Sequence, residues 1–75
     1  MTLGDGKEGQ WLVVTGTQGD EITVQALRFG IAQGAQIQVQ KNIRGGPVIV
    51  SKNQLEIAIG RKLADFIHVE PVTRG

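Results

Sequence analysis

The chain has no cysteine and no tyrosine, one histidine (His68), one serine (Ser51) and only three aromatic side chains, Trp11, Phe29 and Phe66. Each scarcity removes a class of function. Without cysteine there is neither a disulfide framework nor a zinc ribbon, a composition compatible with a reducing cytoplasm. With one histidine there is no imidazole cluster, and Asp5, Glu8, Asp20, Glu21, Glu56, Asp65 and Glu70 show no spacing that converges several oxygens on one ion. A nucleophile needs a base and an orienting group, and Ser51 lies at the end of an apolar run in no nucleophile-elbow sequence. The 11 glycines are scattered through turns and do not form a strand-to-helix phosphate cradle. The expectation is a protein that is not an enzyme, with no catalytic residue, no cofactor and no metal site.

Charge of one sign is also missing. Eight basic and seven acidic residues give a net charge of +1, too balanced for the electrostatic footprint of a nucleic-acid binder. Lys41, Arg44, Lys52, Arg61 and Lys62 have no stacking aromatic beside them and read as a solvated surface, so no nucleic acid is expected. No apolar run approaches the roughly 18 residues that span a bilayer, and residues 1–10 are too polar for a signal peptide, so no membrane insertion is expected and the expected location is the cytoplasm. A chain of 75 residues supports one domain, which buries only about 60 to 65 per cent of its unfolded surface.

What is present is alternation. Ala35, Ile37, Val39 and Ile43 fall on one face and Gln36, Gln38, Gln40 and Asn42 on the other, the two-residue period of a half-buried strand broken only by Lys41. Arg44, Gly45 and Gly46 turn the chain, and 47–51 resumes an extended run. Lys52, Asn53 and Gln54 turn it again before Leu55, Ile57 and Ile59 alternate with Glu56 and Ala58. Three strands joined by short turns make an antiparallel meander.

On either side of the meander, residues 11–14 read as a short first strand after a flexible lead-in at 1–9 that contributes nothing to a core. Trp11 covers the end of the barrel or packs on a partner. Between 21 and 29 strand and helix signals conflict. Ile22, Val24 and Ala26 alternate, yet Asp20 suits an N-cap, Arg28 suits the last turn and Gly30 suits a C-terminal cap, which together favour a short helix. Gly60 ends the third meander strand, and Leu63 and Phe66 are spaced to rest one helical turn on the barrel. Ile67 and Val69 form a last strand with His68 facing solvent, closed by Pro71, and 73–75 is expected to fray. The fold class is therefore mainly β, a small five-stranded SH3-like barrel with one or two short helices, occupying residues 10–72.

Three stretches resemble one family. Leu27-Arg28-Phe29-Gly30-Ile31, continued by Gly34, Ile37 and Val39, is similar to the LGI-x-x-G-x-x-I-x-V signature of the FeoA domain. Gly46-Pro47-Val48-Ile49-Val50 resembles its GP-I-x-V strand, and Ile57-Ala58-Ile59-Gly60-Arg61 with Ala64, Ile67 and Val69 resembles its closing IALGR-x-x-A-x-x-I-x-V. The chain departs from the family at Gln25 and Ala26, where an Arg-Leu pair is frequent, and at Asn53, where glycine is frequent. The resemblance implies the small cytoplasmic component of bacterial ferrous iron transport, a non-enzymatic accessory that contacts the cytoplasmic domain of a ferrous iron membrane transporter. A related module closes metal-dependent repressors, so a ligand-sensing or nucleic-acid-binding SH3-like module is the alternative. The surface expected to meet a partner combines Arg28, Phe29 and Ile31, an arginine and apolar residues beside glycines that fix the backbone.

Overall fold

The computed structural model describes residues 1–73 and shows five strands in one antiparallel sheet with two short helices. The strands are β1 (Trp11–Thr17), β2 (Gln36–Asn42), β3 (Val48–Lys52), β4 (Leu55–Ile59) and β5 (Ile67–Pro71). The helices are α1 (Asp20–Arg28) and α2 (Arg61–Ala64), and a single 3-10 turn at Leu3–Asp5 precedes β1. The sheet order is β4-β3-β2-β1-β5. A sheet that small and strongly twisted encloses one apolar interior, here Leu12, Val14, Ile37, Val39, Val48, Val50, Ile59, Ile67 and Val69, all buried.

The meander expected from alternation is present, with its turns where Gly45 and Asn53 stand. Asn53 and Gln54 both take positive φ (50° and 70°), and Lys52 pairs with Leu55, so β3 and β4 form a two-residue hairpin. Residues 20–28 are helical, with Gly19 as the N-cap and Asp20 inside the first turn. Ile22 and Ala26, four apart, pack inward, which settles the conflict between periods in favour of 3.6.

Several expectations are corrected. Residues 1–9 are no loose lead-in: Leu3 is fully buried, the Gly9 N–H donates to the Val39 carbonyl at 2.8 Å, and Thr2 bridges to His68. An isolated leucine in a polar stretch carries no periodic signal, which is why its burial was not visible in the pattern. Strand β1 runs on to Thr17, beyond the expected 11–14, because Gly16 and Thr17 pair with His68 and Ile67 across a bulge. Ile43 is exposed, since a bulge between Val39 and Lys41 reverses the parity of β2 and sets Asn42 opposite the buried Val48. Leu55 is 69% exposed at the start of the edge strand, Ile57 is half-buried, and only Ile59 of that row is fully inside. Phe66 is exposed, and it is Ala64 that lies beside Leu63 in the core; α2 is one turn long and ends before Phe66 can face inward. Trp11 is half-buried, and His68, also half-buried, has its backbone held by the Thr2 bridge. Of the end expected to fray, Thr73 lies outside β5, and 74–75 lie outside the described residues.

The 3-10 turn is closed by its own sequence. Both the N–H and the hydroxyl of Thr2 donate to Asp5 Oδ2, at 3.0 and 3.2 Å. The backbone hydrogen bond from Thr2 holds the Asp5 carboxyl below its usual value, the Thr2 hydroxyl and the N-terminal charge add to this, and partial desolvation opposes it. The turn aims Leu3 into the barrel. Leu3→Ala should cost about 2–5 kcal/mol, a large share of the stability of so small a domain, while Leu55→Ala should cost under about 1 kcal/mol. Urea unfolding of the two variants is the check; comparable losses would contradict the burial described.

Candidate functional site

The surface expected to meet a partner sits at the C-terminal end of α1. Phe29 and Gly30 N–H groups donate to the Gln25 and Leu27 carbonyls, both at 3.1 Å, and Ile31 N–H donates to the Ala26 carbonyl at 2.9 Å. Gly30 takes φ +74°, a left-handed cap that a side chain would strain. This turn separates the three candidates. Arg28 is exposed and Phe29 is 43% exposed, but Ile31 is fully buried and is a core anchor, so it cannot form part of a contact surface. In its place the helix exposes Val24 (51%) and Leu27 (60%), on the face opposite Ile22 and Ala26. Arg28 follows Val24 by one helical turn, so α1 presents an apolar stripe with a cation at its end.

Between α1 and α2 lies an open groove of about 330 Å³ lined by Glu21, Ile22, Gln25, Lys62, Leu63 and Phe66. Its mixed lining has a floor of Ile22 and Leu63 and one charge of each sign. A shallow depression on another side is lined by Lys7, Glu8, Arg44 and Arg61. Among the described residues no three His, Cys, Asp or Glu side chains come close enough to hold a metal ion, and no helix is long and apolar enough to cross a membrane.

The polar feature that sequence reasoning missed is Arg61. Its Nε donates to the Gly46 carbonyl (3.0 Å), Nη1 to the Gly4 carbonyl (3.1 Å), and Nη2 to both the Ile43 carbonyl (2.7 Å) and Asn42 Oδ1. Asn42 Nδ2 in turn donates to the Gly4 and Gly6 carbonyls at 2.9 and 2.7 Å. One guanidinium and one amide thus join the N-terminal turn, the end of β2, the β2–β3 turn and α2. A Cβ on Gly4 would stand 2.2 Å from Asp65 Oδ1, so a side chain there would have to displace the exposed Asp65 carboxylate. Nothing in the periodicity marks Arg61, because its partners are as far as 57 positions away. The available signals were a polar Asn42 at the end of an apolar strand and the arginine of the IALGR-like stretch, which marks the position without saying what it holds. A lysine there keeps the charge but not the fork, so Arg61→Lys should lose about 1–3 kcal/mol of stability; thermal unfolding unchanged by that substitution would contradict the geometry.

The comparisons bear on the whole chain. No curated protein sequence matches it. The crystal structure of an iron uptake regulatory protein (FeoA) superposes with a TM-score of 0.88 at 27% identity, covering 96% of this chain and 97% of that one. The solution structure of the FeoA protein from Chlorobium tepidum gives a TM-score of 0.81 at 24% identity, over 97% of this chain and 71% of that one. A manganese-dependent transcriptional repressor in complex with manganese gives 0.84 at 16% identity, but 95% of this chain spans only 36% of the repressor, a likeness of fold alone. The FeoA domain model matches residues 1–71, including the Leu3 turn at one end and β5 at the other, and on that match the chain belongs to the FeoA domain family.

Proposed function

We propose that this chain is a non-enzymatic accessory of ferrous iron transport that works in the cytoplasm by docking on the cytoplasmic domain of a membrane iron transporter. Membership of the FeoA family supports the association with ferrous iron transport. The observation that carries the docking reading is the exposed face of α1, where Val24, Leu27 and Phe29 leave apolar surface in water beside Arg28. Single exposed apolar residues are ordinary on any protein; two on the nine residues of the helix and a third at its cap, with Arg28 between, make an anchor of the kind that dominates interface energies. Burying Leu27 and Phe29 against a partner would recover on the order of 1.5–3 kcal/mol for each side chain fully covered.

The Arg28 guanidinium makes no hydrogen bond or ion pair among the described residues, so reversing its charge breaks no contact of the fold. Arg28→Glu and Leu27→Ala should each melt within a few degrees of the wild type and weaken binding to the soluble cytoplasmic domain of the cognate transporter by about tenfold or more. Calorimetric titration of the folded variants is the test. Undiminished affinity of both would remove this surface, and salt-dependent retention of the wild type on DNA in place of transporter binding would favour a nucleic-acid-binding module.

A further inference from the structure

The sheet has two edges, and they are treated differently. The outer edge of β5 is covered by the N-terminal residues, through the Thr2 bridge to His68 and a 2.9 Å hydrogen bond from the Val69 N–H to the Met1 carbonyl, and the strand ends in Pro71. The outer edge of β4 is less guarded: it is short and carries the charge of Glu56, but no backbone partner lies along it among the described residues. Leu55–Ile59 contains no proline and no lysine, and its pairing with β3 runs without a bulge from Lys52↔Leu55 to Val48↔Ile59.

The hairpin fixes which backbone groups are left over. Lys52 and Leu55 flank a two-residue turn and are a hydrogen-bonded pair, so the bonded pairs continue at Val50↔Ile57 and Val48↔Ile59. The N–H and C=O groups of Glu56 and Ala58 therefore point away from β3, and they have no partner among the described residues. Four main-chain groups, two donors and two acceptors, stand in the spacing of a strand template. The side chains around them define what can lie there. Glu56 and Ala58 are exposed on the outer face, where Glu56 has only the neutral Ser51 opposite it and makes no ion pair. On the other face Leu55 is largely exposed and Ile57 half-buried, an unfilled apolar row beside the edge.

We propose that β4 accepts an extended peptide segment of a partner protein as a sixth strand, with a basic residue opposite Glu56 and apolar residues on the alternate positions against Leu55 and Ile57. The main-chain bonds supply affinity without regard to sequence, and the cation at Glu56 with the apolar alternation supplies selectivity. A second copy of this chain fits less well, because an edge of five residues falls far short of the roughly 1,200 Å² that a stable dimer buries, and one symmetric register would set Glu56 against Glu56. The site is separate from Arg28 and does not depend on the docking reading for α1.

The test uses the blocked peptide Thr-Val-Lys-Val-Thr as probe and follows amide signals of the full chain by NMR. In the free protein the amides of Glu56 and Ala58 should exchange with solvent much faster than that of Ile57. Added peptide should give saturable shifts centred on Glu56 and Ala58, with their exchange slowed. N-methylating the lysine and the threonine two residues before it, whose N–H groups face the Glu56 and Ala58 carbonyls of an antiparallel added strand, and separately replacing the lysine by glutamate, should each weaken binding about tenfold. Glu56→Lys should reverse the preference between the lysine and glutamate peptides. The proposal is overturned by any of four results: no saturable shift at millimolar peptide, equal binding of the N-methylated peptide, amides of Glu56 and Ala58 already protected in the free monomer, or self-association through residues 55–59.

Discussion

A guanidinium at the junction of four segments is the constraint on which this small barrel depends. Arg61 is the first residue of α2, and its hydrogen bonds reach the N-terminal turn through Gly4, the end of β2 through Asn42 and Ile43, and the β2–β3 turn through Gly46. The Gly4 and Gly46 carbonyls and Asn42 Oδ1 are part-buried, while the Ile43 carbonyl is exposed, and a buried carbonyl left unpaired costs about 1–3 kcal/mol. The planar fork of arginine meets them together without side-chain entropy being lost several times over. Because the turn is held, Leu3 completes the core from outside the sheet, and the same N-terminal residues cover the β5 edge.

Two consequences for function follow from that arrangement. With the N-terminal segment packed down one side, the surfaces left open are the outward stripe of α1 and the edge of β4. The cap of α1 lies within reach of the β3–β4 hairpin, since Lys52, paired with Leu55, brings its Nζ to 3.3 Å from where Gly30 would carry a Cβ.

The sequence was legible where physics repeats. The inward positions Ile37, Val39, Ile59, Ile67 and Val69 obey a two-residue period and are all buried. The cap at Gly30 and the turn at Asn53 were legible for the same reason, a local backbone requirement met by a local residue. Isolated and long-range features were not. Leu3 has no apolar neighbour to announce it, the bulge after Val39 moves Ile43 outward without a glycine to mark it, and Leu55 sits in a regular alternation but on an edge that nothing covers. Of the proposed contact surface, the exposure of Arg28 was legible, whereas the pattern did not separate Phe29, which is exposed, from Ile31, which is buried, because the cap that exposes Phe29 returns the next residues to the core. Arg61 looked like one more surface cation, and only the folded chain shows what it holds.

The central claim, that Arg61 secures the N-terminal turn and through it the core, is tested most directly by a double-mutant cycle between Arg61→Lys and Leu3→Ala read by equilibrium unfolding. If the guanidinium holds the turn that carries Leu3, the double variant should be destabilised by less than the sum of the single losses, with a coupling energy of about 0.5 kcal/mol or more. Losses that add to within about 0.3 kcal/mol would show that the turn holds itself and that Arg61 only decorates it.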